Sequence, residues 1–351
     1  MEYPSLDKPT AGATRFNTDT SRLELYDGNK WQVVMATSPD QQTGGTRAVF
    51  GGGYNASPYP HMGTMDYVNV SSSGNAIDFG DFTQGRSAKQ GGASRTRGLF
   101  QGGRFSPSSD GYNIIDYITF SSTGNATNFG DLTGETRNPA KQGFSDQTRA
   151  IFAGGYGMPG QSHTNGMEYI SISSTGNSVD FGDQESYGWA WNHAGSSPTR
   201  GILASGRSPS TWYNNIQYVT ISTTGNSADF GDITTAGRAN HSSSMTNAIR
   251  MVMPGGLMAP AASPTWTNTI DYVAIATLGN AIDFGDISST GEQGAAAGSS
   301  PTRGVVAIGH ETAGNVIHHI QIMSAGDSLD FGDLSSARRV YGSCSSGHGG
   351  L

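Results

Sequence analysis

The side chains in this sequence best suited to recognition chemistry are aromatic. Tyr54, Tyr59, His61, Phe105, Tyr112, Tyr156, Trp212, Tyr213 and Trp266 fall in segments of irregular length, with Trp189 and Trp191 in a further one. Rings on loops give large contact area at small entropic cost, which suits stacking on sugars or docking on a protein surface. The competing reading is that several of them only cover the ends of the sheets beneath. Carboxylates form a second set: Asp81, Asp131, Asp183, Asp232, Asp286 and Asp333 recur at equivalent places and have the chemistry to bind calcium. Six equivalent copies argue instead for capping of backbone amides or pairing with repeated arginines, so no metal is expected. His318 and His319 are neighbours on a predicted strand and point to opposite faces, so they cannot chelate one ion together. Cys344 is the single cysteine, which excludes an intramolecular disulfide.

The elements that hold these residues are set by repetition. Phe-Gly-Asp occurs at Phe79, Phe129, Phe181, Phe230, Phe284 and Phe331, and twelve residues before each stands Tyr67, Tyr117, Tyr169, Tyr218, Tyr272 or, in the last copy, His319. Between them lies Gly-Asn in five copies and Gly326-Asp327 in the sixth, a hairpin signal flanked by short alternating strands. An arginine followed by a small residue or Met and an apolar run precedes each hairpin, at Arg47, Arg97, Arg149, Arg200, Arg250 and Arg303, with steps of 50 to 53 residues. A Gly/Ser-rich segment fills the rest of each repeat. Each repeat therefore holds four short strands, and the period is that of propeller blades. Only five of the six Asp-to-Arg segments are internal, so a tail strand around Arg338 to Ser345 is expected to complete the first blade and remove an open sheet edge.

Gly pairs end the arginine strand at Gly52-Gly53, Gly102-Gly103, Gly154-Gly155 and Gly255-Gly256, and an aromatic follows in the next strand. In these features residues 45 to 351 resemble the Kelch family of β-propellers. The fourth and sixth copies depart, with Ser205-Gly206 and Ile308-Gly309, and Phe of Phe-Gly-Asp stands where Kelch repeats carry Trp. The resemblance implies an all-β, six-bladed propeller with four-stranded blades over 41–351. Some Kelch-like propellers are copper oxidases, but their Cys-linked Tyr has no counterpart here, since Cys344 falls in the closing strand. Asp78-Phe79-Gly80 matches the kinase triplet only as a turn, because similar triplets recur with no glycine-rich or catalytic loop nearby. A glycan hydrolase would need two carboxylates at a set separation, and Asp110, Glu185, Glu292 and Glu311 cannot be placed from sequence. The expectation is no enzyme and no cofactor.

Composition agrees with short strands and tight turns: 51 Gly, 14% charged residues and no sustained helical periodicity. A net charge of -8 argues against nucleic acid or an anionic membrane as partner, and neither a signal peptide nor a span able to cross a bilayer is read. Residues 1–40 lie outside the repeat. Arg15-Phe16-Asn17-Thr18-Asp19-Thr20, then Leu23-Glu24-Leu25-Tyr26-Asp27-Gly28, then Trp31 reads as a small β-hairpin module. This order resembles a module near the N-termini of tail-fibre and other structural proteins of tailed bacteriophages. The resemblance implies a virion component made in the host cytoplasm, present in several copies and docked onto other virion proteins through Phe16, Leu25, Tyr26 and Trp31. The alternative for this stretch is a hairpin that packs on the propeller.

Within the repeats, the Gly-Asn turns and the turns before each arginine are near copies, whereas the loops at the other end differ in length and content. That variable end, with its aromatics, is the expected ligand surface, for host glycan or protein. The competing expectations are a head decoration, neck or baseplate protein that binds other virion subunits, and an intracellular Kelch adaptor.

Overall fold

The computed structural model describes residues 9–18, 22–33, 46–54, 61–87, 89–104, 111–137, 141–157, 162–185, 192–208, 211–234, 238–239, 243–258, 265–288, 295–308 and 314–351. The chain divides into two units, Met1–Thr43 and Gly44–Leu351. The described residues form seven antiparallel sheets and no helix.

The first unit is one three-stranded sheet, Thr14–Asn17, Arg22–Tyr26 and Trp31–Val33. Its Asp-Gly turn is fixed by Asp27, whose carboxylate accepts hydrogen bonds from the Asn29 and Lys30 backbone N–H groups and from Gln32; these bonds hold its pKa down to about 2.

The second unit contains six sheets, most of them a four-stranded meander. In sheet 1 the order is Gly342–Ser345, Arg47–Gly51, Thr64–Asn69, Ile77–Asp81, so the C-terminal strand does complete the first repeat. That strand is shorter than expected, because Arg338 lies ahead of it as a buried ion-pairing residue. Sheets 3, 4 and 6 follow the same order, with Gln142–Ser145, His193–Ser196 and Ala295–Ser299 as their first strands. Sheet 2 adds the short strands Tyr156–Gly157 and Ser162–His163 to its outer strand, and sheet 5 takes both Arg238–Ala239 and Met245–Thr246 beside Arg250–Met258.

The core is divided into six apolar clusters, each shared by two successive sheets. Phe100 and Ile118 of sheet 2 pack with Met65 and Phe79 of sheet 1, and Phe331 and Val305 of sheet 6 pack with Phe50 and Val68 of sheet 1, so the circuit closes. The repeated residues make the joints. Each Tyr, and His319 in its place, packs edge-on against the Phe of its own Phe-Gly-Asp at 5.8–6.2 Å between ring centroids. Five of the six arginines lie over that Tyr at 4.4–4.9 Å. All six reach into the next sheet, donating from Nη1 to a carbonyl such as Phe120 O or Val70 O at 2.6–3.3 Å. The repeated aspartates of Phe-Gly-Asp do not pair with these arginines. Each instead offers its own backbone N–H to Asn Oδ1 of the next Gly-Asn turn, or to Asp327 in one copy, at 3.0–3.1 Å. The middle Gly is required by both conformation and space: Gly80 has φ +139°, and a Cβ there would meet Gly124 O at 2.4 Å.

Candidate functional site

Where the arginine strand ends, the chain turns out of the sheet through the Gly pair and then re-enters it. The residue after the pair forms a cross-strand pair with the start of the aromatic strand: Tyr54 with His61, Arg104 with Gly111, Tyr156 with His163, Arg207 with Trp212, and Leu257 with Trp266. Five equivalent positions thus carry Tyr, Arg, Tyr, Arg and Leu, all at the end of the sheets opposite the Gly-Asn turns. Longer hairpins extend sheets 4 and 5 there, past bulges at Ser205 and Gly255, and this extension raises Trp212, Tyr213 and Trp266 on paired strands.

The expected aromatics are partly assembled by this arrangement. Tyr54 is a hub: its ring lies 5.6 Å from His61 and 5.9 Å from Tyr341, and Arg339 sits over it at 5.3 Å. Arg339 Nη1 donates to the Tyr54 hydroxyl at 2.7 Å, and the Tyr341 hydroxyl donates to it at 3.3 Å. Burial, with Tyr54 beside it, pushes the Tyr341 phenol well up. Across the ring, Arg207 lies over Trp212 at 5.3 Å. Trp212, Tyr213, Trp266 and Tyr112 are half-buried. Tyr59, Phe105, Trp189 and Trp191 lie outside the described residues, as does the side chain of Tyr156.

Two histidines share one environment. Burial lowers the pKa of His61 to about 4, with Arg104 adding to the effect; burial and then Arg207 lower that of His163. Both rings are therefore neutral near pH 7, with Arg104 of sheet 2 acting on His61 and Arg207 of sheet 4 on His163. Arg104 Nε and His61 Nδ1 are buried without a hydrogen-bond partner. Among the described residues no three His, Cys, Asp or Glu side chains converge as a metal site. His318 and His319 do point apart: His318 Nδ1 meets Ser288 Oγ at 3.0 Å, while His319 packs on Phe331. Cys344 is buried, and burial pushes its thiol up.

In the N-terminal sheet, Arg15, Glu24, Tyr26 and Trp31 form one self-contained face. Arg15 Nε donates to Glu24 at 2.8 Å and its guanidinium covers Trp31 at 4.3 Å, with Tyr26 5.3 Å from that ring. Tyr26 is only 5% exposed, whereas Phe16 and Leu25, on the opposite face with Leu23, are 62% and 38% exposed. Phe16 and Leu25 are thus open to a partner and Tyr26 is not.

Sequence reasoning missed three features. Arg104, Arg207, Arg339 and Tyr341 belong to the same end as the aromatics, and the position after each Gly pair would have shown the first two. The residue just before each repeated Tyr is Asp66, Asp116, Glu168, Gln217, Asp271 or His318, and all six are buried. A residue entering from the preceding sheet hydrogen-bonds each of them, as Thr83 does Asp116 and Ser335 does Asp66. In three of the six a buried cation adds an ion pair: Arg86–Asp116 at 2.8 Å, Arg338–Asp66 at 2.9 Å and Lys141–Glu168 at 3.1 Å. The third feature is Ser346–Leu351, which crosses the inner strands. His348 Nε2 meets Ala93 O at 2.9 Å and Ser145 Oγ at 3.2 Å, and Gly349 N donates to Thr246 Oγ1 at 2.9 Å.

No protein-family model and no curated protein matches this sequence. Among solved structures, that of YjhT is similar with a TM-score of 0.59 at 10% identity, over 76% of this chain and 90% of that one. At that identity the likeness concerns the fold alone, and it agrees with the sheets and their clusters: the chain has an all-β, propeller-like fold.

Proposed function

We propose that this chain is a non-enzymatic virion protein of a tailed bacteriophage: a six-bladed, Kelch-like propeller that binds a host surface glycan or protein at its irregular end, with residues 1–40 docked on other virion proteins. The observation that carries the reading is the set of equivalent cross-strand pairs at that end. The scaffold beneath repeats with little change, while the five positions vary among Tyr, Arg and Leu, paired with His, Gly and Trp. A constant frame with varied, partly aromatic tips is how binding surfaces are built on rigid folds. Docking through the first unit is supported by the order of residues in 15–31 and by the exposed Phe16 and Leu25.

A second reading is favoured by a separate observation. Ile249, Leu278 and Met323, in the turns of sheets 5 and 6, are 46–59% exposed where the equivalent turns of sheets 1 to 4 carry Ser or Thr, and Ile282 and Leu329 beside them are exposed as Ile77 and Val179 are in sheets 1 and 3. Such a sector suits contact with another virion subunit, in a head decoration, neck or baseplate protein.

Gold-labelled antibody against the propeller, imaged on purified particles by electron microscopy, tests the assignment. Label at the distal tail is the expected result. Label on the head or neck would replace host attachment by the structural role, and unlabelled particles would remove both.

A further inference from the structure

The irregular end is not uniform around the ring. In sheets 4 and 5, alone among the described sheets of the second unit, the arginine strand and the aromatic strand run on past their bulge as one ladder, which gives two raised hairpins. The short strand Arg238–Ala239 joins them: it pairs with Leu257 and Met258 of sheet 5 and lies against the two central strands of sheet 4. Trp212 and Trp266 hold the same place on the two hairpins, each opposite the seventh residue after its repeated arginine, Arg207 in one and Leu257 in the other. Each Trp leads into a run of uncharged polar side chains, Tyr213, Asn214 and Asn215 after Trp212 and Thr267, Asn268 and Thr269 after Trp266, all half-buried. Thr267 Oγ1 donates to Thr269 Oγ1 at 2.9 Å and Asn268 Nδ2 to Ile287 O at 3.4 Å, so the second run is ordered on its own strands. Arg207 is the one charged side chain described at this end of the two hairpins, and it lies over the Trp212 ring at 5.3 Å.

These side chains suit hydroxyls and apolar ring faces rather than charge. An indole takes up the apolar side of a sugar ring over a large, rigid area, while amides and hydroxyls exchange hydrogen bonds with sugar hydroxyls in both directions. Most of the described cations that a polyanion would need are already engaged. The six repeated arginines are committed to carbonyls of the neighbouring sheet, Arg86, Lys141 and Arg338 to buried acids, and Arg207 and Arg339 to aromatic rings. The chain's net charge of -8 adds repulsion. We propose that the raised hairpins of sheets 4 and 5 are the glycan-binding part of the irregular end, with Trp212 and Trp266 as stacking platforms for hexose units of an uncharged polysaccharide. This assignment rests on the reading of the irregular end as a glycan surface and narrows it to a place and to a class of glycan.

The test is affinity electrophoresis of the full chain through native gels that hold laminarin, dextran or hydroxyethyl cellulose, with polygalacturonate as the charged comparison. The expected result is retardation by at least one of the neutral polysaccharides, with the dissociation constant raised about tenfold or more in Trp212→Ala/Trp266→Ala. Trp212→Phe/Trp266→Phe, which keeps a ring at each place, is expected to lie between the parent and the Ala pair. Arg95→Gln, in an exposed turn at the other end, is expected to bind as the parent does. Thermal melting of each variant separates lost binding from lost folding, and where the Ala pair does not fold the Phe pair decides. Retardation by a neutral polysaccharide that neither pair of substitutions weakens would overturn the platforms and leave the glycan reading intact, as would retardation by polygalacturonate alone. No retardation in any gel would overturn the platforms and count against the glycan reading as well.

Discussion

The residue one position ahead of each repeated Tyr or His319 is polar and buried in all six copies, and an acid in four of them. Asp116 and Arg86 are both fully buried, and Thr83 donates to the same carboxylate, so the acid is satisfied by partners inside the protein, while Arg86 Nη2 is buried without a hydrogen-bond partner. Removing one member leaves the other desolvated and unpaired, which typically costs about 3–5 kcal/mol. Asp116→Ala is therefore expected to lower the urea midpoint sharply, and the apolar pair Arg86→Met/Asp116→Leu to recover much of the loss. A double variant no more stable than the single one would mean that the pair is needed for something other than charge balance. This position was legible in the sequence only as an anomaly: six polar residues where an alternating strand between two packed sheets calls for apolar ones. The repeated Tyr, Phe and Arg were legible because their spacing is fixed. What each does was not, since the partners lie in the next repeat, and spacing within one repeat carries no information about the contact between two.

At the scale of the element, the Gly-Asn turn is the joint. It is presented by one sheet and received by the Phe-Gly-Asp strand of the sheet before it, through Gly124 N to Phe79 O at 2.7 Å and Asp81 N to Asn125 at 3.0 Å. Two glycines meet there under unequal constraint. Gly124 has φ +149° with open space where a Cβ would go, while Gly80 has φ +139° with backbone 2.4 Å from that point. Gly124→Ala is expected to cost about 1–2 kcal/mol from backbone conformation alone, and Gly80→Ala clearly more, because the joint must also open. Chemical denaturation of the two variants checks this, and equal losses would show that steric closeness at the joint is unimportant. The hairpins were readable from Gly-Asn and alternation. The bulge that lets each Phe turn inward was not, because it arises from the register between two strands rather than from either one.

At the scale of the whole molecule, closure depends on the final residues twice over. Gly342–Ser345 pairs with Arg47–Gly51, and Ser346–Leu351 then lies across the inner strands of several sheets. Closure by a terminal strand could be deduced from counting segments, but the crossing segment could not, since six residues rich in glycine read as an ordinary tail. His348 reports on it. Burial brings its pKa down to about 4, so between about pH 6.5 and 4 the unfolded chain takes a proton that the folded one refuses. Stability from this residue is therefore complete above about pH 6.5 and is lost as pH falls toward 4, with a slope approaching about 1.4 kcal/mol per pH unit. Denaturation midpoints at pH 7 and pH 5 should differ less in His348→Asn than in the parent; an unchanged difference would mean that the segment is not held by this ring. Closure has a further consequence during synthesis. The strand Arg47–Gly51 is made early, but its partner is about three hundred residues away, so its inner edge stays open until Gly342–Ser345 has been made. An unfinished chain is in effect a row of stacked sheets with one unpaired inner edge, on sheet 1, and the apolar faces of sheets 1 and 6 not yet packed together. Copies crowded on one message could join such edges to each other, so the rate at which Gly342–Ser345 emerges and engages sets the yield of correctly closed molecules.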